Sequence, residues 1–216
     1  MAKIKLSGGG GGFPMPMTLV GYEVGGKANF VAVAWVMRAN QEPPMIAIAP
    51  GGRGRGFDIG GIVQNGAFSV NLPGIGLMEK TDYCALNPGE DVDKSGLFDI
   101  FYGELSGAPM IEQCPLCLEC KLVQRLALPS HTLYIGEIVG LYAEEDSFFG
   151  GCPDPSLWRP FMLTRPDDLY WEIGARAGDA WFIGEDCGKK AAQKTPESLE
   201  KWLEDTQPGI SAPEEP

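Results

Sequence analysis

Apolar residues between Leu19 and Ala49 fall in three runs separated by turn residues. The first covers 19–24 and ends at Gly25-Gly26, a pair that supplies the positive φ of a tight hairpin turn. The second covers 29–36 and is predicted to pair antiparallel with the first. Val31, Val33 and Trp35 then share one face, and Ala32, Ala34 and Val36 the other. Both faces are apolar, as expected of a strand buried between packed layers in a barrel or a covered sheet. The third run, 45–49, follows Pro43-Pro44 and leads into Pro50-Gly51-Gly52-Arg53-Gly54-Arg55-Gly56.

Further along, Phe57, Ile59, Ile62 and Val63 fit one face of a short helix that Asn65-Gly66 would stop. A strand is expected at 68–72 and a short helix at 77–86. Residues 116–128 and 131–142 read as two long strands around the corner Pro129-Ser130, a second hairpin. Short strands are expected near 158–163, 170–174 and 180–184. Thr195-Pro196-Glu197 opens a terminal helix over 196–205, with Leu199, Trp202 and Leu203 as its stripe. The five glycines 8–12 read as a flexible lead-in, and 207–216 as a disordered acidic tail.

Charge narrows the function. A net charge of −12 argues against nucleic acid or an anionic membrane as the partner, and no apolar run approaches the ~18 residues of a membrane span. Residues 1–6 lack the apolar core of a signal peptide, so the cytoplasm is the expected compartment and the six cysteines are expected to be thiols. Within this acidic chain, the stretch 43–72 is locally positive, with Arg53, Arg55 and Asp58 as its charged residues. Arginines among glycines, followed by a helix start, suit an anion such as a phosphate.

Cys114, Cys117 and Cys120 have the opening spacing of an iron–sulfur run, but the fourth cysteine is missing. Alternation along a strand would put Cys114 and Cys120 on one face and Cys117 on the other, so no metal is expected. His131 is the sole histidine, which excludes a zinc-type histidine pair.

Gly26-Lys27-Ala28-Asn29, Ala34-Trp35, Pro43-Pro44 and Phe68-Ser69-Val70-Asn71-Leu72-Pro73 occur in an order and spacing similar to the flavoredoxin branch of the flavin reductase-like family. Asp82-Tyr83, Asp93-Lys94, Leu118-Glu119-Cys120, His131-Thr132 with Gly136-Glu137-Ile138, and Arg159-Pro160-Phe161 continue the resemblance. It implies a mainly β fold: a six-stranded, Greek-key, FMN-binding split barrel with peripheral helices over 16–190, after a flexible 1–15 and before a C-terminal segment 191–216. It also implies a homodimer with FMN near the interface. Implied cofactor contacts are Asn29, Val31, Ala32, Val33, Ala34 and Trp35 beside the flavin ring, Arg53, Arg55 and Asp58 near the phosphate, and Asn71 and His131. Ala32 and Asp58 depart from the family, which carries hydroxyls there. An aspartate near a phosphate requires neutralisation by Arg53 or Arg55. The implied activity is electron transfer through FMN from NAD(P)H or a protein donor. A non-catalytic electron carrier, or a dimeric member that has lost flavin, is the alternative. No protein nucleophile is expected.

Overall fold

The computed structural model describes residues 13–52, 55–56 (backbone only), 59–87, 92–149, 152–180 and 183–184, with Lys3 and Lys5. The expectations for the glycine run 8–12, the terminal helix 196–205 and the tail 207–216 lie outside these residues. The chain divides into two units, Met1–Gly174 and Ala175–Pro216. The first unit carries the fold.

Seven strands form one antiparallel sheet: β1 (Thr18–Val24), β2 (Lys27–Val33), β3 (Val36–Asn40), β4 (Met45–Ile48), β5 (Ala67–Leu72), β6 (Leu116–Ala127) and β7 (Thr132–Ala143). Their order is β2-β1-β5-β6-β7-β4-β3. The β1–β2 hairpin turns on Gly25 and Gly26 at φ 59° and 75°, the left-handed pair that the sequence requires there. Ala28 through Val33 are all buried, so β2 is covered on both faces as expected.

The expected strand 29–36 is not continuous. It breaks at Ala34-Trp35, and Val36–Asn40 becomes a separate seventh strand on the opposite edge of the sheet, paired with β4. The two outermost strands are thus joined by two residues. Val33 and Val36 are three Cα steps apart, about 11 Å at most. In a flat sheet the same edges would be six spacings apart, roughly 29 Å. The sheet must therefore curl until its edges meet, which makes it a barrel. At this seam Val36 N donates to Ala34 O at 3.1 Å, and Ala49 N donates to Trp35 O at 2.9 Å.

The barrel interior is filled by Val20, Tyr22, Val31, Ile48, Phe68 and Val70 with their neighbours. A second core lies outside β1 and β2, where Leu19, Phe30 and Ala32 meet Cys84 of α2 (Met78–Leu86), Phe98 and Met110. A small outer sheet pairs Met15–Pro16 with β8 (Phe161–Thr164), and β8 with β9 (Leu169–Glu172).

The β6–β7 hairpin is staggered against its neighbours. Residues 116–121 of β6 pair with β5, while 134–137 of β7 pair with β4. The distal half of β6 and the basal half of β7 have no strand beside them. Register shifts at Glu119/Cys120 and Leu122/Gln124 add the twist that this stagger needs.

Candidate functional site

One end of the barrel gathers most of the residues picked out from the sequence. Val36, Ile48 and Tyr134 lie in one row across β3, β4 and β7. One step beyond that row stand Trp35 at the seam, Ala49, and the start of β7 with His131 just before it. The arginine segment leaves β4 from the same end. Trp35 and His131 touch: their rings stack with centroids 4.3 Å apart and planes inclined by 32°.

The arginine segment is a ribbon rather than an open loop. Gly51–Gly52 pairs with Arg55–Gly56, with Gly52 opposite Arg55. Arg53, Asp58 and the side chain of Arg55 lie outside the described residues. The helix expected after the ribbon is α1 (Gly60–Asn65), closed by Gly66 in the left-handed conformation, whose N–H donates to Ile62 O at 3.0 Å. Its start is fixed from inside the barrel. Tyr134, fully buried, accepts the N–H of Ile59 through its hydroxyl oxygen at 2.8 Å. Ile59 and Ile62 join the barrel core, so the ribbon is tethered to the sheet at both ends. Tyr134 was missed in the sequence because it reads as one more alternating strand residue.

The other implied contacts are placed differently. Val31 and Val33 point into the barrel core, and Ala32 into the outer one. Ala34 is half-buried at the seam. Asn71 is fully buried; its Nδ2 donates to Leu19 O and Ser69 Oγ, both at 2.9 Å, and its Oδ1 accepts Ile111 N at 3.0 Å. Its groups tie β1, β5 and the segment before β6 together. Asn29 is likewise internal. Its Oδ1 accepts the Lys94 ammonium at 2.7 Å and Phe30 N at 2.8 Å. Lys94 is almost wholly buried, a placement that its polar sequence context hides. Beside it, Asp93 bonds Lys27 and Ser95, in that order of effect, and these bonds hold its carboxyl well below the usual carboxylate range.

The cysteines correct one expectation. Cys114 lies in a turn before β6, not on the strand, and shares the outer core with Cys117. Cys120 alone faces the barrel interior. Among the described residues, no group of three or more His, Cys, Asp or Glu gathers to hold a metal ion.

A curled, staggered antiparallel sheet with a ring-lined end and a cationic ribbon is the architecture of a split-barrel flavoprotein. Residues 10–160 match the family model described as a flavin reductase like domain, and the chain belongs to that family. The crystal structure of flavoredoxin from Methanosarcina acetivorans superposes with a TM-score of 0.80 at 45% identity, covering 87% of this chain and 100% of that one. A protein of Aeropyrum pernix is 28% identical over 167 residues, 73% of this chain and 62% of its own length. The FMN reductase (NADH) RutF of Pseudomonas syringae is 24% identical over 117 residues, 54% of this chain and 63% of its own. The chain thus spans under two thirds of either of these sequence relatives. No helix among the described residues is long and apolar enough to cross a membrane.

Proposed function

We propose that the chain binds FMN at the seam end of the barrel and passes electrons through it, taking them from NADH, NADPH or a protein donor. The observation that carries this reading is the row Val36–Ile48–Tyr134, which brings Trp35, His131 and the root of the arginine ribbon to one end of the sheet. The residues suit the cofactor in kind. A half-exposed indole offers a stacking surface, and a glycine–arginine ribbon offers charge and closely approachable backbone for a phosphate. Bound FMN supplies the redox chemistry. Trp35 and His131 orient its ring, Arg53 and Arg55 hold its phosphate, and Tyr134 keeps the ribbon and α1 in register with the sheet. Val31 and Val33 exclude water from beneath the site.

The test is titration with FMN and riboflavin. A charge-assisted bond contributes about 1.5–3 kcal/mol, so Arg53→Ala/Arg55→Ala is expected to weaken FMN by ten- to a hundredfold and leave riboflavin nearly unchanged. Asp58→Thr is expected to tighten FMN, because it removes a negative charge. Equal FMN affinity in the double variant and the wild type would place the phosphate elsewhere. Steady-state oxidation of NADH or NADPH by the FMN-loaded protein then separates an enzyme from a carrier that depends on a protein donor.

A further inference from the structure

Trp35 combines a fixed backbone with an exposed side chain. Its carbonyl is bonded to Ala49 N, and its neighbours on either side belong to the two edge strands of the barrel. Yet the residue is 48% exposed. The imidazole of His131 covers part of the indole. His131 is itself anchored in the β6–β7 hairpin: its carbonyl accepts Leu128 N at 2.8 Å, and Nδ1 lies 2.9 Å from Ser130 Oγ. A large ring held from one side, and left open over much of its surface, does little for packing. It is well suited to stacking.

We propose that the Trp35 indole, braced by His131, is a platform for a planar, electron-poor heteroaromatic ring. Indole is the most electron-rich of the side-chain rings. It attracts such a ring by dispersion and, where the ring is cationic, through its quadrupole. Oxidised isoalloxazine and the pyridinium of an oxidised nicotinamide both have this chemistry. His131 is a positioning residue: it holds the indole in the orientation that the ligand ring meets. The first of these ligands rests on the flavin reading above; the second does not.

The experiment has two arms. FMN is titrated into the flavin-free protein, and the methylnicotinamide cation is titrated into a separate flavin-free sample. Each is followed by indole fluorescence and by absorbance at wavelengths beyond those of the free ring, where an indole charge-transfer band falls. The wild type is expected to show the band in at least one arm. Trp35→Phe shifts it to shorter wavelength. Trp35→Leu abolishes it and weakens that ring about three- to tenfold, the range of one aromatic contact. His131→Gln weakens binding less and His131→Phe restores it, because a phenyl ring braces as imidazole does. Thermal melts confirm that each variant is folded. A band in the nicotinamide arm without FMN binding upholds the platform and overturns the flavin reading. FMN binding with no band in either arm, and unchanged affinity in Trp35→Leu, overturns the platform and leaves the flavin reading standing.

Discussion

Cys84, Cys114 and Cys117 are buried outside the barrel and Cys120 is buried inside it, whereas Cys152 is exposed. Burial is the first cause of the shift in each of the four buried thiols, because a thiolate loses its hydration there. It pushes Cys84 up to about 11 and Cys117 up to about 12, and raises Cys114 and Cys120 as well. A thiolate is the reactive form. Iodoacetamide at pH 8 is therefore expected to modify Cys152 in the native protein and to reach the other four only after unfolding, as mass mapping of the peptides would show. The same shifts fix the sign of the alkaline limb of stability. The folded thiols keep their protons where unfolded thiols, at about 8.5, lose them. Their contribution is complete below that value and is lost as pH rises through 11 to 12, so the melting temperature should fall with a steepening slope above about pH 9. A melting temperature that is flat from pH 8 to 11 would contradict the burial of these groups.

The elements divide by how visible they are in the sequence. The Gly25-Gly26 hairpin, the long β6–β7 hairpin and α1 with its Gly66 stop were all legible, because local turn chemistry and periodicity specify them. The break at Ala34-Trp35 was not, since the apolar run continues through it and periodicity cannot register a strand that changes edges. Nor could alternation place Cys114, which lies in a turn. At the site, the sequence found Trp35, His131 and the ribbon, but gave ligand roles to Asn29 and Asn71, whose hydrogen bonds turn out to be internal. One element carries a further expectation. A Cβ on Gly61 would lie 2.2 Å from the carbonyl oxygen of Glu23, so α1 rests directly on β1. Gly61→Ala should push the helix away, destabilise the fold by about 1–3 kcal/mol and weaken FMN, because the ribbon ends at this helix. Chemical denaturation and FMN titration together check this; a stable variant with weakened FMN, or the reverse, would separate helix from site.

For the whole molecule, the stagger of the β6–β7 hairpin leaves two half-strands without neighbours, and these halves display large apolar side chains. Val123 and Leu126 are exposed on one, Val139 and Leu141 on the other. Unpaired strand edges with apolar side chains favour association. A homodimer formed through this hairpin is the expected assembly, with the seam end near it. Leu126→Lys/Leu141→Lys is expected to give monomers by sedimentation while the fold survives, because both positions are exposed in the single chain. Dimers of unchanged affinity would move the interface to another face.

The two-residue seam also bears on how the barrel is reached from the unfolded chain. Closing a barrel ordinarily requires the first and last strands to find each other across a long loop, at an entropic penalty that grows with the loop. Here the two outermost strands are neighbours in sequence, so their meeting is among the most local events in the fold. The slow search is displaced to the middle of the sheet, where residues 67–72 must find 116–121 across more than forty intervening positions. On this view the corner at Ala34-Trp35 forms early, and the end of the barrel that it shapes is in place before the central strands have joined.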